Sequence, residues 1–190
     1  MQYLTRATLL VVAVLLLLVP GTAVAAEWPQ PPADGELVRV VAITDGDTIR
    51  VERADGSIER VRYIGIDTPE ISHEAGEPDE PWGPEATEAN RRLAEDERVL
   101  LERDVSDTDH YDRLLRYVWV EAQDGWLMVN GELVSLGLAD VRAYEPDTRH
   151  DEWLRELERD ARESGVGMHG GEPEPSGSFL DDVLDFLFGG

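Results

Sequence analysis

Three runs rich in Val, Ile and Tyr open the ordered part of the chain, Leu37 to Thr44, Thr48 to Arg53 and Ile58 to Ile66, and their composition predicts strands. Asp55-Gly56 between the second and third is a strong hairpin signal, so the three are expected to be consecutive and antiparallel. Val99 to Arg103 and Leu114 to Glu121 predict a fourth and a fifth strand, and Asp124-Gly125 a turn after the fifth. Helical patterns fall between and after them. Pro84 starts one that runs to about Ala94, with proline in the first turn, where its missing N–H costs little. Val129 to Leu138 predicts a short helix closed near Gly137. His150 to Ser164 is the clearest, with Trp153, Leu157 and Ala161 at four-residue spacing and Leu154 beside them. Glu152/Arg155, Glu156/Arg159 and Glu158/Arg162 supply its outer face with pairs, and Gly165 and Gly167 end it. Five strands with interspersed helices predict an α+β fold, mainly β: a five-stranded barrel of the OB-fold type with about three helices.

The ends differ from this middle. Residues 1–26 combine Arg6, an apolar stretch from Ala7 to Val19 and the small residues Ala23-Val24-Ala25, the pattern of a cleaved secretory signal peptide. The apolar run is shorter than the roughly 20 residues of a spanning helix, so secretion without stable membrane association is expected. Residues 27–36, with Pro29, Pro31 and Pro32, form an extended lead-in, and 37–170 one domain. From 171 to 190 a Pro/Gly/Ser linker leads into an apolar tail, Phe179 to Phe188, punctuated by Asp181, Asp182 and Asp185; its partner is unknown. The protein is expected to be a monomer.

Charge changes the picture. The chain has 17 Arg, no Lys and 41 Asp plus Glu, a formal net charge of -24, and no Cys. Disulfides and thiolate metal sites are excluded. Such a charge repels polyanions at low salt. It fits either a substrate that is not polyanionic or life in concentrated salt, where the Debye length falls to about 3 Å at 1 M. The absence of lysine favours the second, a haloarchaeal-type extracellular protein, with arginine kept where bidentate contacts to carboxylate or phosphate are useful.

Candidate chemistry gathers around two acidic turns, Asp45-Gly46-Asp47-Thr48 and Asp67-Thr68-Pro69-Glu70, which flank the strand carrying Arg62. Alone, each is a common turn sequence. Together they offer carboxylates and a carbonyl suited to a hard cation such as Ca²⁺, and a further carboxylate beside it to handle water. Arg62, with Arg113 in Tyr111-Asp112-Arg113 at the entry to a later strand, supplies a phosphate fork. Arg62 and Asp67 are an odd number of residues apart and would face opposite sides of a regular strand, so the backbone must depart from it between them, either by a bulge at Gly65 or by the strand ending before Asp67. His73, His110, His150 and His169 are dispersed without paired helical spacing, which argues against zinc. Trp82, Trp119, Trp126 and Trp153 sit in apolar runs and read as packing.

In this order and spacing, the segments from about Leu37 to His169 resemble the staphylococcal nuclease-like (thermonuclease) family. They are Val40 to Ile49, Arg62 to Glu70, Gly83-Pro84-Glu85-Ala86, Tyr111 to Val118, Val134 to Ala139 and the last helix. The resemblance implies an OB-fold barrel and a secreted Ca²⁺-dependent endonuclease that cleaves DNA and RNA to 3′-phosphates. It implies Asp47, Asp67 and the Thr68 carbonyl as Ca²⁺ ligands, with Asp45 acting through a water. Glu70 matches the family's catalytic glutamate, and Arg62 and Arg113 its phosphate-holding arginines. His110, Tyr111 and Tyr144 fall at substrate-binding positions. His110 stands where the family often has lysine, and Asp112 replaces the usual glycine. The acidic loop from His73 to Glu80 is an insertion, read as solvated surface. Two other functions remain open: a non-catalytic nuclease-like module that binds nucleic acid, and a Ca²⁺-stabilised surface domain.

Overall fold

The computed structural model of the protein describes residues 28–72, 76–122 and 125–171. The expected signal segment and C-terminal tail lie outside the described residues, as do His73 and Asp124. Eight strands and three α-helices follow one another: β1 Glu36–Ile43, β2 Thr48–Glu52, β3 Ile58–Tyr63, β4 Gly65–Asp67, α1 Gly83–Ala94, β5 Arg98–Glu102, β6 Leu114–Ala122, β7 Gly125–Met128, α2 Val129–Ser135, β8 Asp140–Arg142 and α3 Asp151–Ser164. The order β3-β2-β1-β5-β6 closes on itself through a parallel β3–β6 pairing, so five strands form the predicted barrel; β7 extends β6, and β4 pairs with β8 in a small second sheet.

The inward faces supply the core. Val38, Val40, Ile49, Val51, Val61, Tyr63, Val99, Leu101, Tyr117 and Trp119 are buried at alternating or near-alternating strand positions. α1 adds Ala86, Ala89, Asn90 and Leu93, and α2 adds Leu133 and Val134. Each fully buried large apolar side chain contributes about 1.5–3 kcal/mol. Trp119 is wholly buried, and Trp82, Trp126 and Trp153 pack at the margin. On α3, Arg155 pairs with Asp151 rather than Glu152, while Arg162 takes Glu158 as expected. No helix among the described residues is long and apolar enough to cross a membrane.

One departure positions the site. The run Ile58 to Ile66 is not one strand but two, broken at Ile64, with Gly65 at φ 81°. A side chain at Gly65 would be strained at that φ and would press on Leu154. Asn130 on α2 seals the break: its amide donates to the Ile64 carbonyl at 2.9 Å, and its oxygen accepts the Val118 N–H at 2.9 Å. Arg62 and Asp67 can therefore face each other across the kink.

Beside Asn130, Glu132 is buried, and burial pushes its carboxyl from the ordinary 4.5 up to about 7. The stability of the fold with Glu132 protonated is fully present below about 4.5 and is lost as pH rises through about 7. Glu132→Gln should therefore raise the melting temperature at pH 8 relative to the native chain and lose this advantage at pH 4.5. A difference independent of pH would contradict burial as the cause.

Candidate active site

The first acidic turn is held by main-chain bonds. Thr44 N–H donates to the Thr48 carbonyl, and Tyr63 N–H to the Asp47 carbonyl, both at 2.9 Å. Asp45 Oδ1 accepts the Asp47 N–H at 3.1 Å, and Asn90 of α1 donates to the Asp45 carbonyl at 2.9 Å. Gly46 is required by close approach, since a Cβ there would lie 2.5 Å from Thr68 Oγ1. The two turns thus touch. Asp47, only 3% exposed, accepts the Thr68 N–H through Oδ2 at 3.1 Å and the Thr48 hydroxyl through Oδ1 at 3.1 Å.

Arg62 joins them. Its Nη2 lies 3.0 Å from Asp47 Oδ2 and 2.7 Å from Asp67 Oδ1, while Nη1 donates to the Tyr63 and Ile66 carbonyls, each at 2.9 Å. The kink at Ile64 and Gly65 supplies those carbonyls. Burial pushes the Asp47 carboxyl up to about 7 against the pull of Arg62, with Asp45 adding to the rise. Glu70 is also raised, first by burial and then by Asp45, against the pull of Arg62, with Asp67 and Glu80 adding to the rise.

Arg113 approaches from the loop immediately before β6. Its Nη1 reaches Thr48 Oγ1 at 3.5 Å, and its Nε is fixed on Asp109 Oδ2 at 2.7 Å. Asp109 Oδ1 also accepts the Tyr111 and Arg113 N–H groups at 2.9 Å. Asp112 sits between them at φ 59°, a left-handed conformation that aspartate tolerates better than most residues. The glycine position thus keeps its glycine-like backbone. Between Arg62 and Arg113 opens a cleft of about 350 Å³, also lined by His110, Leu115, Arg142 and Tyr144. Tyr111 stands outside that lining, exposed, its ring 3.7 Å from His110 and 5.5 Å from the Arg113 guanidinium.

Asp45, Asp47, Thr48, Arg62, Asp67, Thr68 and Arg113 are therefore joined by direct contacts, and His110 and Tyr144 line the cleft beside them. Asp47 and Asp67 contact Arg62 but are not part of the cleft lining. Sequence reading missed four contributors. Asp109 orients Arg113, and Asn90 ties Asp45 to Tyr63, whose hydroxyl it accepts at 2.8 Å. Arg142 lines the cleft with Nε 3.9 Å from Asp67. Glu80 is the fourth: its Oε2 accepts the Glu70 N–H and its own N–H donates to the Glu70 carbonyl, both at 3.0 Å. The end of the acidic loop, read from sequence as solvated surface, clamps the main chain of Glu70. The spacing Asp-x-x-x-Arg could have revealed Asp109; the Glu80 contact has no local signal.

Among the described residues, no group of three or more His, Asp or Glu is arranged as a metal cage. The donor set nonetheless suits a hard cation: Asp47 and Asp67 offer carboxylate oxygens on either side of one shared guanidinium, that of Arg62.

A family model described as staphylococcal nuclease homologue matches residues 60–169. The thermonuclease of Staphylococcus hyicus is 35% identical over 130 residues, covering 68% of this chain and 73% of that one. The thermonuclease of Staphylococcus intermedius is 34% identical over 134 residues, 70% of this chain and 76% of its own. An SPbeta prophage-derived endonuclease of Bacillus subtilis is 37% identical over 126 residues, 65% of this chain and 40% of its own. The chain belongs to the staphylococcal nuclease family and is a phosphodiester-hydrolysing nuclease.

Glu80→Ala should lower kcat about tenfold with KM and melting temperature nearly unchanged, because it loosens a positioned group rather than the core. Glu80→Gln, which keeps an acceptor oxygen, should restore most of the rate. Equal rates for both variants and the native chain would remove Glu80 from the account.

Proposed function

We propose that this member of the staphylococcal nuclease family is a secreted, calcium-dependent endonuclease that hydrolyses DNA and RNA and leaves 3′-phosphates. The observation that carries the reading is the Arg62 guanidinium shared between Asp47 and Asp67, with Arg113 reaching Thr48 of the first acidic turn and Glu70 three residues beyond Asp67 in the second. In this reading Asp47, Asp67 and the Thr68 carbonyl hold Ca²⁺, and Asp45 acts through a water. When bound, Ca²⁺ polarises the scissile phosphate and offsets its charge.

The side chains of this chain do the rest. Glu70 holds the attacking water against the phosphorus by a hydrogen bond to its carboxylate. As the water oxygen bonds to phosphorus and gives up a proton to solvent, the bond to the 5′ oxygen breaks, that oxygen takes a proton from solvent and leaves as a hydroxyl, and the phosphate stays on the 3′ side. Arg62 and Arg113 donate to the equatorial oxygens, where negative charge builds, and their fixed orientation stabilises the transition state more than the ground state. Tyr111, His110 and Tyr144 contact the flanking nucleotide. Flexible or unpaired strands fit best, because the backbone must enter the cleft between Arg62 and Arg113.

The signal-type segment at 1–26 supports secretion, and the charge of -24 without lysine supports work in concentrated salt, as in a haloarchaeal-type protein. The nuclease domain spans 37–170 and acts as a monomer without stable membrane association.

The test is to incubate the full chain with single-stranded DNA in 0.1 M and 2 M salt, with Ca²⁺ or a chelator. Cleavage should need Ca²⁺, persist or rise at 2 M, and give ends with a free 5′-hydroxyl. Glu70→Gln and Arg113→Ala should each be slower by about 10²–10³-fold or more. Cleavage that persists with chelator, or at native rates in both variants, contradicts the mechanism.

A further inference from the structure

Outside the cleft, the β2–β3 hairpin carries a feature that the proposed chemistry does not use. Arg50 and Arg60 are direct partners in its ladder, one rung beyond the pair Thr48 and Arg62. Like charges placed opposite each other on a sheet are unfavourable. Most described arginines answer this kind of cost by reaching a carboxylate, as Arg53 does with Glu36 and Arg116 with Asp107. Among the described residues, Arg50 and Arg60 pair with none. Arg60 gives one Nη2 hydrogen to the Tyr111 carbonyl at 2.6 Å. Arg50 is exposed.

Side-chain direction ties this rung to the active site. Val61 and Tyr63 point into the core, so Arg60 and Arg62 share the opposite face, and on β2 Arg50 lies two residues from Thr48 on that same face. Two residues of strand span about 6.6 Å, so the rung begins one side-chain step from the guanidinium that bridges Asp47 and Asp67. Exposed Tyr111 stands beside it, its main chain held by Arg60. One step further on, Glu52 opposite Ile58 ends the basic run. Arg98 and Arg159 also reach no carboxylate among the described residues, but Arg50 and Arg60 are the two that stand opposite each other in a ladder, beside Arg62.

We propose that the Arg50–Arg60 rung is a binding subsite for a neighbouring phosphate of a single-stranded nucleic acid, which leaves the cleft over the outer face of the β2–β3 hairpin. This rests on the reading of Arg62 as a phosphate-holding group. Paired guanidinium forks suit the two free oxygens of a phosphodiester, and an exposed aromatic beside a positive groove accepts a base of any identity. Contact at this range also solves the problem of charge, since a net-negative protein in concentrated salt cannot draw in a polyanion from a distance and must touch it. The rung favours strands over single nucleotides.

The experiment measures binding of a fluorescent oligothymidylate of about twelve residues to the full chain in chelator, across the salt range in which circular dichroism shows it folded. Arg50→Gln/Arg60→Gln should bind about tenfold more weakly, with a slope of log K against log salt shallower by about 0.7 for the phosphate released. Arg50→Lys/Arg60→Lys should keep the slope. Arg50→Gln alone, which removes no protein contact, should show part of the loss and rules out misfolding as its cause. Unchanged affinity and slope in the double variant, or no binding by the native chain, overturns the proposal. Binding that depends on the rung in a chain that cleaves nothing with Ca²⁺ would leave the subsite standing and sink the proposed function instead.

Discussion

The Asp47 carboxylate is the constraint on which the site depends. A charge this deeply buried is costly unless it is paired and hydrogen-bonded. Here it is answered by the Thr68 main chain, the Thr48 hydroxyl and one arm of Arg62. Those three partners come from both acidic turns and from β3, so satisfying one carboxylate assembles the whole centre. Arg62 serves two carboxylates with one nitrogen, and its other nitrogen is fixed by carbonyls exposed where the strand breaks. Charge compensation at this point is incomplete, which is the electrostatic setting a cation and a phosphate can enter.

The barrel exists around this need. Parallel pairing of β3 with β6 brings Arg62 and Arg113 to one end, although 51 positions separate them in the chain. The kink at Ile64 and Gly65 leaves a carbonyl that Asn130 satisfies from α2, so the helix layer stabilises the irregularity that the site requires. Asn90 of α1 does the same for Asp45. Buried polar side chains on the two helices act as struts between the apolar core and the acidic turns. Asp109 plays the equivalent part for Arg113 from within its own loop.

Much of this was legible in the chain. Five barrel strands and three helices follow from hydrophobic pattern and turn residues, and the odd spacing of Arg62 and Asp67 called for a break between them; it falls at Ile64, with the positive φ at adjacent Gly65. β7 was hidden because Gly125–Met128 is short and runs directly into α2, so the residues between the Asp124-Gly125 turn and the helix at Val129 carried no strand pattern of their own. β8, Asp140–Arg142, is too short to carry a pattern. The clamp of Glu80 on Glu70 depends on how a loop folds back, which no periodicity records. Asp112, which replaces the family's usual glycine, adopts the positive φ of that position, a backbone feature that residue type alone does not reveal. The opposition of Arg50 and Arg60 follows from the Asp55-Gly56 hairpin once its register is known.

The proposed calcium site takes Asp47 and Asp67 as carboxylate ligands of one ion. Calorimetric titration of Ca²⁺ into the full chain, Asp47→Asn and Asp67→Asn measures it most directly, with folding of each variant checked by circular dichroism. The account predicts one site per chain that is lost or weakened at least about tenfold in both variants, since each removes a charged oxygen ligand. Native-like calcium affinity in either folded variant, or no calcium binding by the native chain, would contradict it.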